Sequence, residues 1–599
     1  MRQPTVLSSS LLVVVALAFA SSASAATLYA GPDGTATSGC YYDIPCSLDG
    51  ATKAAVPGDT VVLKDGIYKQ GIYPPANTQP TPPAYITFQA DECALPIIEG
   101  PGVGPLEDEQ ASGMYAESAT YLRFVGLVMR GWSSGFSNKF QDTDQATPPT
   151  SNGHFEYLNC IADGNGRTGF TMFSAEGIHI KNSIAAHNGS SIRHSWSSGI
   201  TLLEVAGTTN LIEGNISFEN MDNHDVAQAP DSPGKHSDGN GFIVDENSNG
   251  VTFVNNIAFG NGGSCLRLTR SSGTKFINNT CYHNAQDTRA TGPTNPSEVY
   301  FTAQSTGQTN PRTDVNFMNN VFWATGTGPG AQPVQNKPTT GWNNNIEGKG
   351  AVTYFTAPDG TNPDFTLAAS ATMLIGMGGM NAAVPTNDVG FDPKCIVKKP
   401  PTAIGMMASG SWWQYSIDYE YIKSIGGVAK CFVAPRMRSG TPDIGAYKNG
   451  AITANPAVPN CMPTIPADHA GPPGAGAGAG GMSSGSGGAS ASGGGATASG
   501  GTTAGPQGGN SASSAGTGSP STAGGAPVGN AGSAAVGAGG NGASAGTPGA
   551  TAGTGTGAGT ESGCGCRVGA QPTRSGLLIG LGSLGLVLLG LRRRRQLRA

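Results

Sequence analysis

Short apolar runs, mostly β-branched or aromatic and each closed by Asn or Gly, fill the middle of the chain. One phrase returns six times: Asn159-Cys160-Ile161, Asn182-Ser183-Ile184, Gly214-Asn215-Ile216, Asn255-Asn256-Ile257, Asn278-Asn279-Thr280 and Asn319-Asn320-Val321. The steps between its third residues are 23, 32, 41, 23 and 41, a base period near 23 interrupted by additions of about 9 or 18. A repeat of this size marks a solenoid. Runs this short, rich in β-branched residues, form strands rather than helices, and Asn and Gly tolerate the left-handed backbone of tight corners. An Asn at one point of every coil predicts a ladder in which each side-chain amide satisfies its neighbour.

A second pattern keeps step with the first. Gly169-Phe170-Thr171-Met172, Gly199-Ile200-Thr201-Leu202, Gly241-Phe242-Ile243-Val244 and Ser264-Cys265-Leu266-Arg267 precede the Asn phrase, with gaps of 14, 16, 15 and 15 between matching residues. The extra residues therefore fall at one corner, between an Asn strand and the next Gly strand. The longest excursions should gather over the Gly-strand face and make a cleft. This alignment sets Arg267 where earlier coils carry Met172, Leu202 and Val244.

The two ends read differently from the middle. Met1-Arg2, the apolar run Leu11 to Ala20 and the small residues up to Ala25 follow the order of a secretory signal peptide, assigned to residues 1–25. Residues 26–468 form one large all-β solenoid, which the usual ceiling on core size does not limit. Residues 469–562 are nearly all Gly, Ala, Ser and Thr, too poor in large apolar groups to offset chain ordering, and read as a disordered stalk. In residues 563–599, Cys564-Gly565-Cys566 precedes an apolar segment, Gly576 to Leu591, and then Arg592 to Arg595, which reads as a short transmembrane segment holding the chain to a membrane. That trio resembles the myxobacterial C-terminal sorting tag, which implies delivery to the cell surface.

A net charge of −6 without a basic stripe excludes a nucleic-acid partner. Nine cysteines fall within residues 26–468. Export permits disulfides, and Cys40 with Cys46 or Cys431 with Cys461 are candidate pairs.

Pro57-Gly58-Asp59-Thr60-Val61-Val62-Leu63 with Gly66-Ile67-Tyr68 resembles the first turn of pectate-lyase-like right-handed parallel β-helix proteins, and Asp443-Ile444-Gly445-Ala446-Tyr447 resembles their end. Gly239 to Asn284 is similar to the polysaccharide lyases of the ninth sequence family, through Gly239-Asn240-Gly241-Phe242 and Asn278-Asn279-Thr280. The resemblance implies β-elimination of a uronate polymer with Lys or Arg as base. Where that family carries its catalytic Lys, beside Phe242, this chain has Ile243, and its calcium-binding aspartate cluster has no counterpart.

Other groups are candidates for the chemistry. Lys235, Arg267 and Arg270 are candidates for base or carboxylate binder, and His236 for acid or base near neutral pH. Arg193, His194, Trp196, His224 and His283 bring cationic and aromatic groups to the excursions, as a glycan groove requires. Glu204 and Glu246 occupy equivalent points of adjacent coils, with Asp245 beside them and Asp238 nearby. Coils stack about 4.8 Å apart, so these carboxylates could share a Ca²⁺ ion. The expectation is a monomeric, surface-displayed, carbohydrate-active protein, foremost a lyase of an acidic polysaccharide. A glycoside hydrolase is the neighbouring enzyme class, and a non-catalytic glycan-binding adhesin is the reading from outside enzymology.

Overall fold

The computed structural model describes residues 25–75, 84–102, 111–117, 119–139, 153–191, 197–223, 238–287, 297–302, 314–324, 332–351, 353–380, 384–400, 413–433, 436–438 and 440–450. Its strands form three long sheets in which every pairing is parallel and joins one coil to the next. Among the described residues sheet A has 11 strands, from Thr27–Ala30 to Trp342–Asn343, sheet B has 10, from Gly66–Tyr68 to Ile346–Lys349, and sheet C has 8, from Met114–Glu117 to Gln332–Gln335. One coil visits each in turn: Phe155–Leu158 in A, Ile161–Asp163 in B and Phe170–Phe173 in C. This is a parallel β-helix.

The corner from A to B is fixed by its chemistry. Two residues make the turn, the first left-handed: φ is 54° at Asn159, 50° at Asn182, 56° at Asn255, 55° at Asn278 and 57° at Asn319. The second points inward and builds the expected ladder. Asn215 Nδ2 donates to Asn256 Oδ1 at 3.0 Å, Asn256 to Asn279 at 2.9 Å and Asn279 to Asn320 at 3.1 Å. A second ladder, which the repeat analysis did not foresee, lines the corner from B to C through Asn165, Asn188, Asn220, Asn261 and Asn284. It ends on Glu298, whose two carboxylate oxygens accept from Asn284 at 2.9 and 2.6 Å. Inside the column, rings stack from coil to coil, as in Phe88, Phe124 and Tyr157 at centroid spacings of 5.4 and 5.3 Å.

Long connections leave at two corners rather than one. Those after Ala186, Phe218 and Tyr282 run from B to C, as expected, but those after Lys139 and Phe301 run from C to A. Both corners flank sheet C. From Leu122–Val125 onward the A-to-B corner stays at two residues, and along the amide ladder an insertion there would break the inner row.

The coils end at Lys349, well before residue 468. Beyond them, the described residues between 353 and 450 pack over the outer face of sheet B. Phe355, Phe365, Leu374, Phe391, Ile417, Ile422 and Tyr447 pack there against Ile161, Ile184, Ile216, Phe218, Ile257 and Phe259. Asp443 to Tyr447 is thus part of this clasp rather than a last coil: Gly445 N donates to the Asn319 carbonyl at 2.7 Å, while Ile444 and Tyr447 join the apolar layer. Cys40 pairs with Cys46 as expected, but Cys431 pairs with Cys395 within the clasp rather than with Cys461, and Cys265 pairs with Cys281 across one coil. Among the described residues no helix is long and apolar enough to cross a membrane. The segments expected to be a signal peptide, as far as residue 24, a stalk and a sorting tail lie outside the described residues.

Candidate functional site

Several of the candidate residues gather on the outer face of sheet C. Strand pairing sets Phe242 against Leu266 and Ile243 against Arg267, one residue away from the alignment read in the sequence. A slip of one residue exchanges the two faces of a strand. Arg267 therefore does not replace the inward Met172, Leu202 and Val244. It belongs to the outward row Ser137, Thr171, Thr201, Ile243, Arg267 and Tyr300, each one coil from the next.

Arg267 is 3% exposed and so is Asp238, with which it forms an ion pair through Nη1. Arg267 Nε donates to Thr269 Oγ1 at 3.2 Å, and its guanidinium carbon lies 5.8 Å from the centre of the Tyr300 ring. Asn240 Nδ2 donates to the same Asp238 oxygen at 3.3 Å, and the Asp238 amide donates to Asp222 at 3.4 Å. An Arg–Asp pair this deep is stable only when both partners stay, because removing one leaves a buried charge.

Asp245 sits in the neighbouring outward row, paired in register with Leu203. Burial pushes its carboxyl up, Arg267 and Arg270 pull it back, and the negative charges of Asp238 and Glu204 push it up again, to about 7. A carboxyl poised near neutrality exchanges a proton readily in either direction.

Glu204 and Glu246 lie on adjacent coils, as expected, yet turn away from each other. Glu204 accepts from Ser174 Oγ at 3.2 Å in the preceding coil, whereas Glu246 forms an ion pair with Arg270 in the following one. Among the described residues no three carboxylate, imidazole or thiolate groups converge on a point where a metal ion would sit. Glu204, Asp238, Asp245 and Glu246 thus do not fit a shared Ca²⁺ ion, since two of them already face guanidinium groups.

His283 lies away from this row. It stacks on Tyr282 with ring centres 3.8 Å apart and meets the Gly350 carbonyl at 3.4 Å, at the edge of the clasp. Burial holds its imidazole below the ordinary value. Arg193, His194, Trp196, His224, Lys235 and His236 lie outside the described residues. Thr201 and Tyr300 were missed because the shifted alignment hid which residues share the outward row with Arg267.

A second buried charge cluster lies on sheet B. His187, 1% exposed, donates from Nδ1 to Asp163 at 2.7 Å, and its Nε2 faces the Tyr415 carbonyl at 3.0 Å and Glu219 at 3.3 Å. Burial pulls its pKa down, but Asp163 and then Glu219 outweigh that and raise it to about 9. Glu219 also accepts from the amides of Gln414 and Tyr415, and Asp163 from the Tyr419 hydroxyl. All these partners belong to the clasp, so the cluster fastens it to the column.

No family model and no curated protein matches the chain. Solved structures of similar shape include pectate lyase Pel9A, 16% identical over 71% of this chain and 97% of its own, with a TM-score of 0.36. An alginate lyase from Paenibacillus sp. is 15% identical over 54% of this chain and 99% of its own, with a TM-score of 0.33. A lacto-N-biosidase from Eubacterium ramulus is 11% identical over 55% and 68%, with a TM-score of 0.29. The β-helix itself stands on the strand pairing described above.

Proposed function

We propose that the protein is a secreted, surface-displayed enzyme that cleaves an acidic polysaccharide on the outer face of sheet C. The observation that carries this reading is the row holding Arg267, fixed by Asp238 and lying near Tyr300, with the poised Asp245 carboxyl in the next row. Ionic and proton-transfer groups set together on a rigid sheet, flanked by the long connections, are what a polymer-cleaving site needs.

In this reading Arg267 neutralises the uronate carboxylate, which acidifies the carbon beside it. Asp245 takes that proton, the carbon–hydrogen electrons form a new double bond, and the glycosidic carbon–oxygen bond breaks. The departing oxygen collects a proton from solvent or from the protonated Asp245. Arg267 thus acts as a charge rather than as the base, because its pairing with Asp238 favours the charged guanidinium. The disulfides support export to an oxidising compartment, where the stalk and tail would display the column.

The test incubates the purified protein with pectate, alginate and other uronate polymers and follows the ultraviolet absorbance of the unsaturated product. New reducing ends without that absorbance would identify a hydrolase. Polymer retention without any cleavage would identify an adhesin.

A further inference from the structure

Thr201 stands in the outward row of sheet C, two coils from Arg267. It is 8% exposed, and its Oγ1 has no hydrogen-bond partner among the described residues. The equivalent hydroxyl one coil earlier, on Thr171, is engaged by Thr168. On the other side Ile243 offers no polar atom. A buried hydroxyl without a partner costs stability, and valine would fill the same space on a strand without that loss. Packing alone therefore does not call for an oxygen here. Just beyond the Leu266–Leu268 strand, Arg270 Nε is also buried and unpartnered among the described residues, although its Nη2 holds Glu246.

We infer that Thr201 Oγ1 is a recognition group for a hydroxyl of the bound glycan, on the sugar next to the one that meets Arg267. This rests on sheet C being the glycan site. Two coil steps separate the residues by about 10 Å, more than one sugar ring covers, so Thr201 reads a neighbouring ring rather than the charged one. In the free protein the hydroxyl is a standing cost, and it is recovered only when the ligand supplies the missing bond.

The test compares wild type with Thr201→Val, using calorimetric binding of galacturonate and mannuronate monomers, their oligomers and neutral xylo-oligomers, alongside thermal unfolding. Thr201→Val is expected to melt at the same temperature or higher and to bind the acidic oligomers roughly tenfold more weakly. Binding of the monomers is unchanged, and Thr201→Ser restores the oligomer affinity. Thr274→Val serves as control: its Oγ1 is equally buried and unpartnered but leads into sheet A, so binding should not move. Equal oligomer binding by wild type and Thr201→Val overturns the inference, as does a loss of stability in step with the loss of binding. If wild type ignores the acidic oligomers while a neutral oligomer is held and Thr201→Val weakens it, the recognition role stands and the acidic-substrate reading falls. Failure to bind any of the oligomers overturns both.

Discussion

Sheets B and C are built from the same coils with the same pleat, yet their outer faces are opposites. On sheet B the outward row is Val128, Ile161, Ile184, Ile216, Ile257, Thr280 and Val321, sealed beneath the clasp. On sheet C the corresponding rows mix polar with apolar groups: Ser137, Thr171, Thr201, Ile243, Arg267 and Tyr300 in one, and Phe173, Leu203 and Asp245 in the next. Both faces contain buried charge, but in different states. Around His187 each carboxylate is filled by ring nitrogens, backbone amides and a tyrosine hydroxyl. On sheet C the Thr201 hydroxyl and the Arg270 Nε go unpartnered among the described residues, and the Asp245 carboxyl stays poised near neutrality. A charge cluster with every partner in place holds a structure together, whereas one with vacant partners has capacity left for a ligand.

The largest effect that would sharpen this contrast is on stability at sheet B. His187→Leu leaves Asp163 and Glu219 without their cation and is expected to cost about 3–5 kcal/mol in urea unfolding. Hydrogen exchange across residues 413–433 should quicken, while turnover per folded molecule stays unchanged. A variant that melts normally but loses turnover would break the comparison.

On sheet C the expected signs reverse. Arg267→Lys keeps a cation for Asp238 but loses the planar fork, so the melting temperature should shift little while kcat/KM falls by roughly 100-fold. Equal turnover would remove Arg267 from the reaction.

Between the two faces, Asn256→Leu strips the inner ladder: the Asn215 backbone amide loses its acceptor, Asn215 Nδ2 keeps only the Ile180 carbonyl, and the Ile212 carbonyl loses the Asn256 side-chain donor. The expected loss is about 2 kcal/mol or more in urea unfolding, with no specific effect on glycan binding.

The last test is pH, which needs no substitution. His187 is raised to about 9 from 6.5, so its stabilisation is full below 6.5 and fades as pH rises through 9. Burial raises Glu298 to about 8 from 4.5 against the opposing hydrogen bonds of Asn284, and its contribution is full below 4.5 and declines towards 8. Melting temperature should therefore fall from neutral to alkaline pH, and Glu298→Gln, which keeps an acceptor for Asn284, should flatten the slope below 8. A wild-type profile flat to alkaline pH would contradict both assignments.

The coil period, the left-handed Asn corners and the amide ladder were legible in the sequence, and Arg267 and Asp245 stood out there as candidates, Asp245 as a cation ligand rather than a base. Each depends on residue type and near-neighbour spacing, and left-handed φ and side-chain amide pairing are local properties. The face on which Arg267 emerges was not legible, because the Ser264 strand follows a connection of different length and a single-residue slip reverses its side. Nor was the clasp, whose apolar residues from Phe355 to Tyr447 follow no period of their own. They take their positions from the face they cover. Tertiary structure alone decided which buried charges are saturated, since Asp163 and Glu219 find partners some 200 to 250 residues away, and no spacing rule reaches that far.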